Sequence, residues 1–130
     1  MIPSISVRRI RQIATIFGAI AVVLGAFGAH ALKAQLSATA LENWKTAVNY
    51  QFVHALALLL LANLPTNSFV RLSVCFFALG ILCFSGSLYL LSLREILTIQ
   101  TAFLGPITPI GGLFFILGWV FLFFSASKKN

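Results

Sequence analysis

Four stretches of this sequence, 12–31, 46–64, 70–92 and 101–125, each reach the ~20 consecutive apolar residues that a bilayer core requires. They use up most of the 130 residues and leave no room for a separate soluble domain. Only 8% of the residues are charged, against about 25% in soluble domains, so the chain lacks the polar coat that water demands. The expected fold is all-α: an integral membrane bundle of four antiparallel transmembrane helices, one domain over 1–130.

A net charge of +7 suits nucleic acid as a partner in general. Here, however, the cations stand at the ends of the apolar stretches, where they meet lipid headgroups and set orientation. Nucleic acid is therefore not an expected partner. With four crossings, Arg8, Arg9, Arg11, Arg71, Lys128 and Lys129 share one side, and Lys33, Lys45 and Arg94 share the other. Six cations against three place both termini in the cytoplasm, in a multi-pass protein of a bacterial plasma membrane. A cleaved leader ending at Ala29-His30-Ala31 is the rival reading of the first stretch. Its apolar run is longer than a usual signal core, and cleavage would leave an odd three-span remnant.

Local signals fill in the bundle. Ala14, Gly18, Ala21, Gly25 and Gly28 fall at steps of three and four, a stripe that lets another helix approach closely. Thr39 to Glu42 matches a capping box at the start of the second helix, and Trp44 then falls where interfacial aromatic belts form. The connection Pro65-Thr66-Asn67-Ser68 is short enough to force antiparallel neighbours. Two starts are open for the fourth helix. Either Thr108 caps a helix with Pro109 in its first turn, or the helix begins near Thr101 and kinks at the prolines. Gly111, Gly112 and Gly118 offer a second close-packing face. Cys75 and Cys83 have neither metal nor redox spacing and read as small apolar side chains.

Direction along each span gathers the polar residues. Span one ends at His30, and span two begins with Asn49, Tyr50, Gln51 and His54. Span three reaches Ser85, Ser87 and Tyr89 late, and span four starts at Thr108. All fall in the non-cytoplasmic half. The other half, with 58–61, 74–79 and 114–124, is nearly pure hydrocarbon apart from Gly118 and Trp119. The pattern suggests a cup closed on the cytoplasmic side rather than a continuous pore.

Two readings of the cluster compete. In one, Tyr50, Gln51 and His54 share a helix face and form an interhelical hydrogen-bond network, because an unpaired polar group in lipid is costly. In the other, His30, Asn49, Tyr50, Gln51, His54, Ser85, Ser87 and Tyr89 line a pocket for a headgroup, an ion or a partner side chain. His30, His54 and Glu42 lack ligand spacing, so neither a metal nor another cofactor is expected. The only acidic residues are Glu42 and Glu95, at predicted helix ends, so no carboxylate relay crosses the spans. No nucleophile–base–acid constellation supports catalysis.

Several runs carry a family resemblance: Phe27–Lys33, Trp44–Ala57, Phe84–Tyr89 and Leu104–Gly112. In order and spacing they resemble a family of small bacterial membrane proteins named after YgdD and YwdK. The resemblance implies a four-helix plasma-membrane protein without an agreed activity. It marks His30, Glu42, Trp44, Tyr50, Gln51, His54, Ser85, Ser87 and Tyr89, and it supplies no catalytic residues. The expectation is a non-enzymatic protein that is structural or binds membrane lipids, a second copy or a partner membrane protein. The alternatives are a small transporter or channel subunit acting as an oligomer, and a lipid-headgroup enzyme with His54 or His30 as base.

Overall fold

The computed structural model describes residues 6–127, apart from the side chains of residues 95 and 127, and over them it is helical with short connections. The helices are α1 (Val7–Ala29), α2 (Ala38–Leu61), α3 (Ser68–Gly80), α4 (Gly86–Leu97) and α5 (Leu104–Ser127). A π-helical turn, Ile81–Ser85, joins α3 to α4 without a break, so the five helices form four rods. Lys128 and Lys129 lie outside the described residues.

Side-chain caps explain the starts. Ser6 Oγ accepts from Arg9 N at 3.3 Å, Ser37 Oγ from Ala40 N at 3.2 Å, and Asn67 Oδ1 from Val70 N at 2.9 Å, each satisfying a backbone donor left open at a helix start. The capping box expected at Thr39 and Glu42 is therefore not formed. Ser37 is the cap, and Glu42 pairs instead with the exposed Lys45 at 2.7 Å. α4 ends at Thr98, whose φ of 50° turns the chain left-handed. α5 starts at Leu104, between the two expected starts, and Pro109 lies inside it. Thr108 consequently does not cap a helix. Its hydroxyl reaches Ser87 on α4 at 2.7 Å.

Three rods are long and apolar enough to cross a membrane: Val7–Ala29, Ser68–Arg94 and Leu104–Ala126. α2 is as long as the others but less apolar, because the polar residues of its first two-thirds dilute its hydropathy. They include Asn49, Gln51 and His54.

The small-residue stripe of α1 packs on α2. Ala14 and Ala21 are buried, and Gly25 lies against Val48. A Cβ on Gly28 would come 2.6 Å from Cδ1 of Trp44, so the glycine is what lets the edge of the indole approach α1. α5 packs on α3 and the π turn, with the backbone of Gly111 directly against that of Cys83 and Phe84. The largest fully buried side chains, Phe77, Leu58, Leu61 and Val70, lie in the core with Ile10 and Phe115. Outward, the rods present apolar side chains such as Leu60 (70% exposed) and Phe123 (69%). A soluble monomer rarely shows an apolar surface that extensive; one solvated by lipid does.

Candidate functional site

Gln51 is the hinge of the polar contacts. Its Nε2 donates to Phe17 O on α1 at 2.9 Å, and its Oε1 accepts from the Tyr89 hydroxyl of α4 at 2.9 Å. One buried amide thus ties three helices. Trp44 braces the arrangement: its Nε1–H donates to Leu24 O at 2.8 Å, and its ring meets Tyr89 edge-on at 4.7 Å. Trp44 is 4% exposed, so its ring is packed into the helix interface. Ser85, in the π turn, donates to Ala47 O of α2 at 2.8 Å. A π turn puts an extra residue into the helix, and here its last residue is the one bonded to α2.

His54 is held from both ring nitrogens. Trp119 Nε1 lies 3.2 Å from His54 Nε2, and Tyr50 O lies 2.7 Å from His54 Nδ1. An indole N–H can only donate and a carbonyl can only accept, so Nε2 is bare and Nδ1 carries the proton. The imidazole is a neutral Nδ1–H tautomer with no ring nitrogen left over. Phe115 stacks on it at 3.6 Å, and Phe77 meets it edge-on at 5.2 Å. A general base needs a nitrogen within reach of a substrate proton; here both ring nitrogens of His54 are engaged by groups of the chain itself.

The buried serine hydroxyls are equally engaged. Ser87 Oγ lies 3.0 Å from Phe84 O and 2.7 Å from Thr108 Oγ1. The order Thr108 to Ser87 to Phe84 O uses each proton once. Ser73 donates to Gly118 O at 2.8 Å.

The eight expected site residues therefore divide. Gln51, His54, Ser85 and Ser87 are buried, and Tyr89 is half-buried against them. Tyr50 is 44% exposed and stacks on Phe84. His30, at the C-cap of α1, and Asn49, on α2, are exposed and stand apart from the bonded set. Among the described residues, no three His, Cys, Asp or Glu side chains come together. A groove of about 450 Å³ at the expected outer end is lined by residues that include Ser37, Asn43 and Arg94, and by none of the eight. A second groove, also about 450 Å³, opens on the side and is lined by Tyr50 and His54 of the eight, with Pro109 and Trp119.

Sequence reasoning missed Trp119 and Ser73. Trp119 interrupts an otherwise apolar run, and its indole N–H needs an acceptor when removed from water; that requirement is the signal that could have found it. Ser73 carries no such signal, because a lone serine in a span can bond to its own helix.

Comparison with known proteins finds relatives named as membrane proteins. Residues 24–112 match the family described as "Protein of unknown function (DUF423)". The UPF0382 membrane protein YwdK of Bacillus subtilis is 41% identical over 114 residues, covering 84% of this chain and 88% of that protein. The UPF0382 membrane protein SH2409 of Staphylococcus haemolyticus is 42% identical over 106 residues, covering 80% and 83%. A UPF0382 membrane protein of Haemophilus influenzae is 42% identical over 115 residues, covering 87% and 89%. No solved structure matches.

Proposed function

Since the chain belongs to the DUF423 family of membrane proteins of unknown function, we propose that it is a non-catalytic plasma-membrane protein. In this reading residues 1–130 form one domain of four antiparallel spans with both termini in the cytoplasm. α2 is the fourth span, its polar residues shielded from lipid by partners on α1, α4 and α5. The paired contacts of Arg11 with Asn63, Phe17 with Gln51 and Leu24 with Trp44 support an antiparallel α1 and α2.

One observation carries the functional reading. The polar atoms of Gln51, His54, Ser85 and Tyr89 already have partners within the chain. The cluster is then a lock that holds the bundle, and work on other molecules takes place on the lipid-facing surface. Membrane lipids, a second copy or a partner membrane protein are the molecules that reach that surface.

Two measurements test this. Native mass spectrometry of the gently released protein should show no small ligand that is lost in His54→Leu, while that variant melts earlier in detergent. A specific ligand lost without any change in melting would make the cluster a binding site. For the topology, single cysteines introduced at Ser4 and Ser127 of a cysteine-free background should resist an impermeant maleimide in intact cells. Labelling at either position would overturn the orientation.

A further inference from the structure

The end of the molecule formed by the start of α1, the α2–α3 turn and the last turns of α5 concentrates positive charge, with no acidic side chain among the described residues there. Arg8, Arg9 and Arg11 stand in the first turns of α1, and Arg71 in the first turn of α3. The two acidic residues of the chain are far from them: Glu42 lies near the start of α2 and Glu95 near the end of α4. Contacts draw this end together. Arg11 Nη2 donates to Asn63 Oδ1 at 3.0 Å, and Phe69 stacks on Phe121 and meets Phe124.

A groove of about 490 Å³ opens at the same end, between the α2–α3 turn and α5. Leu64, Val70, Leu122 and Phe123 line it, with Asn67 and Ser125 as its polar members. Arg11 is anchored to the residue just before Leu64. Arg71 lies one turn after Asn67, and its backbone N–H donates to Asn67 O. The Arg71 Nε is buried and has no hydrogen-bond partner. A buried guanidinium donor left unpaired is costly, so the Arg71 head gains by turning toward an acceptor at this end.

We propose that this end binds an anionic phospholipid, with an acyl chain in the Leu64–Phe123 groove and the phosphate on Arg11 and Arg71. Charge complementarity selects the headgroup, since arginine forks match phosphate oxygens. The apolar walls select a lipid over a free anion. The inference rests on the reading of the chain as a lipid-embedded bundle and does not depend on which way the bundle faces.

The test is retention of dipalmitoyl phosphatidylglycerol against dipalmitoyl phosphatidylcholine by the full chain in detergent, read by native mass spectrometry. The wild type should hold the anionic lipid about tenfold better, the result of two cations each worth roughly 1 kcal/mol, or about fivefold, discounted for exposure. Arg71→Gln should lower that retention about threefold, while Lys33→Gln, which removes a cation at the other end, should leave it unchanged. Ser125→Trp fills the groove without altering charge and should also lower retention, so the inference stays testable if Arg71→Gln does not fold. Glycerol 3-phosphate in excess should fail to displace the lipid. Equal retention of the two lipids, equal effects of Arg71→Gln and Lys33→Gln, or full displacement by glycerol 3-phosphate would each overturn it. Because binding is read in micelles, a wrong orientation leaves this result intact, and a failure here leaves the orientation intact.

Discussion

Gln51→Leu is the substitution that bears most directly on how the bundle holds together. The amide makes two interhelical bonds, to Phe17 O and from the Tyr89 hydroxyl, and leucine preserves the bulk while removing both. Interhelical hydrogen bonds in membranes contribute ~0.6 kcal/mol on average, so the pair accounts for about 1.2 kcal/mol. The Tyr89 hydroxyl then loses its acceptor inside the bundle, which costs roughly 1–3 kcal/mol unless it finds another. Phe17 O loses less, because a carbonyl has two lone pairs and sits within the α1 ladder. Leucine recovers part of this through apolar packing. The net expectation is a loss of about 1–3 kcal/mol. It can be read from reversible unfolding in mixed micelles, followed by circular dichroism. A double-mutant cycle with Tyr89→Phe isolates the Gln51–Tyr89 bond, and a coupling of about 0.5–1.7 kcal/mol is expected. Asn49→Leu, two residues away on an exposed face of the same helix, is the control and should be close to neutral. If Gln51→Leu behaves like Asn49→Leu, or the cycle shows no coupling, the network does not hold the helices and the reasoning fails.

Two further outcomes follow from the same geometry. Gly28→Leu should cost about 1–3 kcal/mol by overpacking, because even a Cβ at that position runs into the Trp44 indole; Gly86→Ala, where a Cβ meets nothing within 4 Å, should melt like the wild type. Trp119→Phe removes the donor to His54 Nε2; nitrogen-15 spectra of labelled imidazole should show a single Nδ1–H tautomer in the wild type and a mixture in the variant, and a mixture in both would refute the assigned bonding.

Much of the architecture was open to local reasoning. The all-helical class, the three most apolar spans and the small-residue stripe of α1 depend on composition and on a 3.6-residue period, both of which are properties of neighbouring residues. The polar residues of α2 and α4 were legible as a group for the same reason, since direction along each span orders them by depth. Details at the helix starts were less so: Ser37 and Thr39 are both competent caps, and the choice between them depends on where the preceding turn 30–36 delivers the chain.

The partners of the polar side chains were not legible, and here the tertiary structure alone decided. Gln51 meets a carbonyl 34 residues away, Tyr89 an amide 38 away, and His54 an indole 65 away. Such distances depend on the rotation and axial register of whole rods. Glycine contacts at Gly28 and Gly111 set that register, together with the π turn at Ile81–Ser85, which leaves no mark in hydropathy. By itself the sequence established that a helical chain with buried polar residues must sit in lipid, because hydrophobicity is summed along the chain. Only the packing of the rods determined that His30 and Asn49 stand apart while Trp119 completes the set, because a hydrogen bond requires two groups to meet within about 3 Å.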